Sequence, residues 1–94
     1  GTAVQGIANQ STIAATATAS ADIFLSNVGT AASAFTLTDL RHFRVSQGTF
    51  GSGSAVTTQT GYEVNTNLTG ATTNYGFRGR IPSGTGRWNL YMDG

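Results

Sequence analysis

The sequence predicts an all-β chain that completes its interior by pairing with other copies of itself. Of the 94 residues, 55 are Gly, Ala, Ser, Thr or Asn, and only 19 are Leu, Ile, Val or Phe. That apolar content is at the level where a chain stops burying enough surface to fold alone. Short runs with β-branched and aromatic residues recur between Gly, Ser, Thr and Asn clusters, which is typical of strands and turns. A net charge of only +1 excludes disorder by charge repulsion, and the lack of cysteine excludes disulfides and thiolate metal sites.

The first element, residues 1–21, is expected to be extended. Residues 14–19 mix Ala with Thr, so periodicity does not separate helix from strand. A continuation of the repeats, a small globular insertion and a coiled entry all stay open for this segment. Because the chain starts at Gly1 without methionine, we expect it to be a piece of a longer protein.

Residues 22–94 contain five similar short blocks, each with an aromatic residue, and the blocks are residues 22–26, 41–45, 60–64, 75–79 and 89–93. The aromatics are separated by 19, 19, 15 and 14 residues, which leaves room for two short strands and two turns. Such a unit cannot bury both faces of its strands, so the repetition indicates a fibre in which each unit covers the next. We expect the aromatics to form its apolar core: Phe24, Phe43, Tyr62, Phe77 and Tyr91.

The glycine-rich loops between blocks are predicted to be turns. Residues 51–53 and 84–86 lack the third glycine of a dinucleotide fingerprint and the lysine of a phosphate-binding loop. Glycine instead supplies the positive φ that a reversing chain needs. The chain has no Lys and one Pro to protect strand edges, so we expect those edges to pair with other copies.

Residues 41–94 resemble a known family. The similarity lies in Gln47–Thr57 (QGTFGSGSAVT), Asn67–Phe77 (NLTGATTNYGF) and Ser83–Tyr91 (SGTGRWNLY). Together these runs resemble the stalk repeats of tailed-phage tail fibres and tailspikes of the endosialidase type, which lie upstream of an intramolecular chaperone domain. The resemblance implies an intertwined homotrimeric triple β-helix, built with two identical chains as partners. It also implies a shaft on the virion tail, outside the cell, that positions a host-recognition head.

One structural use of charge follows from aligning the blocks. The residue after the aromatic is Arg44, Glu63 and Arg78 in three consecutive blocks, a ladder of alternating sign. Opposite charges on neighbouring strands contribute roughly 0.2 to 1 kcal/mol and help to fix register. We expect Glu63 to meet Arg44 or Arg78 across a chain boundary.

The alternative function is a carbohydrate-binding module without catalysis. Arginine grips carboxylates with paired hydrogen bonds, and aromatic faces pack on sugar rings. This combination of residues is typical of contact with an acidic surface polysaccharide, and it occurs near the C terminus: Arg78, Arg80, Arg87, Trp88 and Tyr91.

The sequence gives little support for acid–base catalysis or for metal binding. The four carboxylates, Asp22, Asp39, Glu63 and Asp93, are far apart in sequence, so an acid–base pair would have to form across chains. His42 is expected to be structural, since a metal site would need three symmetric copies of it. We expect no enzyme activity and no cofactor. We also expect no nucleic-acid partner and no membrane insertion, because the five arginines are scattered and no long apolar run exists.

Overall fold

The computed structural model describes every residue from Gly1 to Gly94, and none of them lies in a helix or a strand. Irregular backbone is interrupted by bends and isolated turns. The six backbone-to-backbone hydrogen bonds each span two or three residues, so no two segments form a ladder. No membrane-spanning helix is found.

The predicted fold class, an all-β intertwined homotrimeric triple β-helix, is therefore wrong. Strand propensity measures how a side chain fits a half-buried sheet, and this chain offers no such surface. Polar side chains instead bond to nearby backbone, which competes with a ladder. For example, Oδ1 of Asn9 accepts a hydrogen bond from the N–H of Ser11 at 3.1 Å. Likewise, Oδ1 of Asn65 accepts one from the N–H of Thr66 at 2.7 Å.

The chain divides into two units, Gly1–Arg44 and Val45–Gly94. This division follows contacts within the single chain. The boundary drawn between residues 21 and 22 rests on the sequence repeats and stays a prediction.

Two turns have the geometry predicted from their glycines. In residues 51–54 and 84–87 the N–H of the fourth residue donates to the carbonyl of the first, at 3.0 Å and 3.3 Å. Gly53 and Gly86, the third residues, have φ of 85° and 73°, and no residue other than glycine has a positive φ. Among the standard turns this combination is type II, which favours glycine at the third position. The prediction that these loops are turns is confirmed.

No side chain is buried in either unit. Among the large apolar residues Val64 is the least exposed, and 39% of it is still accessible. The five expected core aromatics are each at least 66% exposed: Phe24, Phe43, Tyr62, Phe77 and Tyr91. The single chain therefore has no apolar core, and the core role of these aromatics stays a prediction about an assembly.

Consecutive aromatic blocks nevertheless lie beside each other within each unit. In the first unit, Oγ of Ser26 lies 2.6 Å from Nδ1 of His42 and joins the first two blocks. In the second, the Tyr62 hydroxyl donates to the carbonyl of Gly76 at 3.5 Å. A methyl group added to Gly76 would lie 3.7 Å from the side chain of Val64, which is ordinary van der Waals contact. The repeat spacing thus corresponds to a spatial neighbourhood.

Candidate functional site

The predicted glycan-contact residues lie on and around a closed loop, residues 81–89. The side-chain amide of Asn89 closes it with two hydrogen bonds to one residue. Its Oδ1 accepts from the N–H of Ile81 at 2.7 Å, and its Nδ2 donates to the carbonyl of Ile81 at 3.2 Å. The turn at residues 84–87 reverses the chain between these ends. The loop is therefore held by contacts between residues close in sequence.

Asn89 also approaches the backbone at Gly79. A Cβ atom at Gly79 would lie 2.8 Å from Cβ of Asn89 and 2.9 Å from its Oδ1. Real Cβ atoms essentially never come within 3.0 Å of another heavy atom, so only glycine fits without moving Asn89. This approach joins the fourth and fifth aromatic blocks.

The aromatic residues at the end of the loop form a pair. The rings of Trp88 and Tyr91 have centroids 5.5 Å apart and planes inclined by 66°, an edge-to-face arrangement. Trp88 is 60% exposed and Tyr91 66%. The pair therefore presents aromatic surface to solvent, as contact with a sugar ring would require.

The three arginines of the predicted cluster have separate surroundings. The guanidinium of Arg78 lies over the ring of Tyr75, 5.1 Å from its centroid. Nη1 of Arg87 donates to the carbonyl of Ser83 at 3.4 Å. Arg80 forms no hydrogen bond or ion pair within the chain, and none of the three has an acidic partner. Their charges are thus available to an anionic ligand, but no cation–π contact or hydrogen bond joins them to the aromatic pair.

Glu63 forms no ion pair in the single chain. The one ion pair joins Arg41 to Asp39 at 3.3 Å, and both side chains are more than half exposed. Such an exposed pair contributes little to stability. The ladder of Arg44, Glu63 and Arg78 was expected across a chain boundary, and it stays a prediction.

His42 has a structural contact in this chain, the hydrogen bond to Ser26. Its sequence neighbour Asp39 is paired with Arg41. No group of three or more His, Asp or Glu side chains is arranged to hold a metal ion.

A groove of about 420 Å³ in the first unit was not anticipated from the sequence. No ionisable side chain lines it, so it offers no acid–base chemistry. Its lining residues are Thr30, Ala31, Ser33, Phe35, Thr36, Leu37 and Leu40.

Trp88 and Tyr91 were grouped from the sequence, and their rings are in contact, but the residues that position the loop were not identified from the sequence. The separation of Trp88 and Tyr91 by three residues allows their rings to meet in a short turn. Asn89 was not singled out, and neither was Tyr75 beneath Arg78. No motif marks an asparagine whose amide closes a loop. Tyr75 lies two residues before Phe77, so it does not occupy the aromatic position on which the blocks are aligned.

Comparison of the chain with family models, with curated proteins and with solved structures gave no match.

Proposed function

We propose that this chain is a shaft segment of a phage tail fibre or tailspike, where it associates with two identical chains and positions a host-recognition head. The observation that carries the proposal is that no side chain is buried. The likeness of residues 41–94 to stalk repeats supplies the biological setting, the virion tail.

The extent of this exposure is clear when the accessible area of the chain is compared with that of a folded monomer. The chain exposes 9782 Å², whereas a folded monomer of its mass exposes roughly 5,100 Å². The excess is of the order that obligate subunits bury against one another, about 2,000 to 5,000 Å² or more. A chain without charge repulsion, carrying nine aromatic residues, gains from removing that surface from water.

The contacts between consecutive blocks support a repeating element. Ser26 contacts His42, Tyr62 contacts Gly76, and Asn89 contacts Gly79 and Ile81. Each contact joins one aromatic block to the region of the next block along the chain. Neighbour-to-neighbour contact of this kind is how repeat proteins are built.

The test is the mass of the chain in solution and on an unheated SDS gel. Sedimentation equilibrium is expected to give three times the chain mass of 9.7 kDa, and a band of the same size is expected to survive in SDS until the sample is boiled. A monomer at all concentrations up to about 1 mM, a range in which weak complexes with millimolar dissociation constants begin to form, would overturn the proposal.

A second candidate function is contact with an acidic surface polysaccharide. It is favoured by the exposed pair Trp88 and Tyr91 and by three arginines without acidic partners. The test is binding to an immobilised acidic polysaccharide by the parent chain and by the triple variant R78A/R80A/R87A. The control variant R41A/R44A changes two arginines outside the C-terminal loop. Binding that is lost in both variants, or in neither, contradicts this site.

A further inference from the structure

Asn65 makes a close contact with the residue that follows it. The backbone N–H of Thr66 donates to Oδ1 of Asn65 at 2.7 Å, and the Thr66 hydroxyl donates to the same oxygen at 3.4 Å. The backbone turns here, because the N–H of Leu68 donates to the carbonyl of Asn65 at 3.3 Å. Asn65 and Thr66 are both exposed, so water reaches the contact.

This contact places a nucleophile beside an electrophile. The side-chain carbonyl carbon of Asn65, Cγ, is one C=O bond of about 1.23 Å from Oδ1, so the Thr66 nitrogen lies within about 3.9 Å of it. Reacting atoms held near the attack distance of about 3 to 3.5 Å react faster than freely moving ones. The Thr66 hydroxyl donates to the oxygen on which negative charge develops during the attack, and such a donor stabilises the transition state.

We propose that Asn65 is a site of spontaneous deamidation, a covalent modification that needs no enzyme. The Thr66 nitrogen loses its proton and forms a bond to Cγ of Asn65. The bond from Cγ to Nδ2 breaks, and Nδ2 leaves as ammonia with the proton. Water then opens the resulting cyclic imide at either carbonyl, which gives aspartate or isoaspartate.

The product changes both charge and backbone at the turn. A new carboxylate lowers the net charge of the chain by one unit from +1, and it lies two residues from Glu63. Isoaspartate also adds one carbon to the backbone within residues 65–68. The site is formed by a single chain, so the inference does not depend on association of copies.

Asn65 is the only asparagine whose side chain accepts a hydrogen bond from the next residue along the chain. Oδ1 of Asn74 accepts from the N–H of Ala71, and Oδ1 of Asn89 accepts from the N–H of Ile81. Their carbonyl groups are thus engaged by residues earlier in the chain. We therefore expect Asn65 to react first among the six asparagines.

The experiment incubates the full chain at neutral pH and locates each replacement of an amide by a carboxylate by peptide mapping and mass spectrometry. Thr66→Val keeps the β-branched shape but removes the hydroxyl. It is expected to slow the reaction at Asn65 about two- to tenfold, the range that one ordinary hydrogen bond supplies. Thr69→Val removes an exposed hydroxyl three residues away, and this control is expected to keep the parent rate.

A second measurement separates the geometry from the order of residues. In guanidinium chloride the sequence is unchanged but the turn is lost. The rate at Asn65 relative to that at Asn27 is expected to fall about threefold or more, because the near-attack geometry becomes rarer.

Three results overturn the proposal. The first is deamidation that begins at any other asparagine. The second is an equal rate at Asn65 in Thr66→Val and Thr69→Val. The third is a ratio of the Asn65 and Asn27 rates that guanidinium chloride leaves unchanged, because the rate then follows from the sequence alone. The proposed function fails separately, through the mass of the parent chain.

Discussion

Oγ of Ser26 lies 2.6 Å from Nδ1 of His42, and this contact joins two segments 16 residues apart. It is the longest-range side-chain hydrogen bond in the first unit. It ties the first aromatic block to the second in a part of the chain that has no helix, strand or buried side chain.

The Ser26→Ala variant is expected to release His42. A hydrogen bond between exposed groups contributes near the lower end of the usual range, about 0.5 kcal/mol, so the equilibrium constant for contact between the blocks should fall about twofold. The ring-nitrogen shifts of His42 and the nuclear relaxation of the Arg41 and His42 amides report this change. Ser20→Ala, at a serine without a hydrogen bond, is the control. Unchanged His42 shifts in Ser26→Ala would contradict the contact.

Gly86→Ala and Gly53→Ala are expected to strain their turns. Both glycines have a positive φ, and an L-residue there costs about 1 to 2 kcal/mol. The urea midpoint of the proposed assembly should fall in each variant. Gly48→Ala is the control, because a Cβ there meets no atom within 4 Å and its φ is not in the left-handed region. Equal midpoints for all three variants would show that the turns do not persist in the assembly.

Gly79→Ala is expected to break the hydrogen bonds between Asn89 and Ile81. The new Cβ would overlap Cβ and Oδ1 of Asn89 and push the side chain away from the backbone of Ile81. Exchange of the Ile81 amide should accelerate, whereas Gly70→Ala, in open space, should leave it unchanged. An Ile81 amide that exchanges at the parent rate in Gly79→Ala would rule out this geometry.

Tyr91→Ala is expected to alter the environment of the only tryptophan. The edge-to-face contact with Tyr91 restricts the Trp88 ring, and such pairs contribute about 0.5 to 1.5 kcal/mol. The near-ultraviolet dichroism of Trp88 should weaken, and its fluorescence anisotropy should fall. Tyr75→Ala removes a ring that contacts Arg78 instead, so it should leave the tryptophan signals unchanged. The same response from both variants would mean that the Trp88 signal reports a general change in the chain and not the loss of its contact with Tyr91.

Glu63→Gln is expected to destabilise the assembled chain by roughly 0.2 to 1 kcal/mol if the residue forms the interchain ladder with Arg44 or Arg78. The difference should shrink in 1 M salt, where the screening length is only about 3 Å. Thermal melting at low and high salt measures both effects. Asp22→Asn, outside the ladder, controls for the loss of a carboxylate. A stability difference that does not depend on salt, or no difference at all, would contradict the predicted ladder.

The parts of the structure that could be predicted depend on one residue or on close neighbours. Gly53 and Gly86 predicted their turns because backbone freedom is a property of glycine itself. The lack of a core followed from the few large apolar residues. The predicted strands were wrong, because a strand depends on a partner segment that the blocks around Phe24 and Phe43 do not have in this chain.

The candidate site shows the same limit. Trp88 and Tyr91 are close in sequence, and their contact could be anticipated. The bonds from Asn89 to Ile81 could not, since an amide can bond to many backbone groups and the turn at residues 84–87 determines which group it reaches.

The absence of buried side chains, together with the proposed association of identical chains, bears on how long a single copy survives proteolysis. A protease normally waits for a folded substrate to open, so that cleavage follows the population of the open form. A chain with no buried residue imposes no such delay, and under the proposed association degradation competes directly with encounter between copies. The surviving amount should therefore rise more steeply than the rate of synthesis, because encounter depends on concentration and cleavage of a lone copy does not.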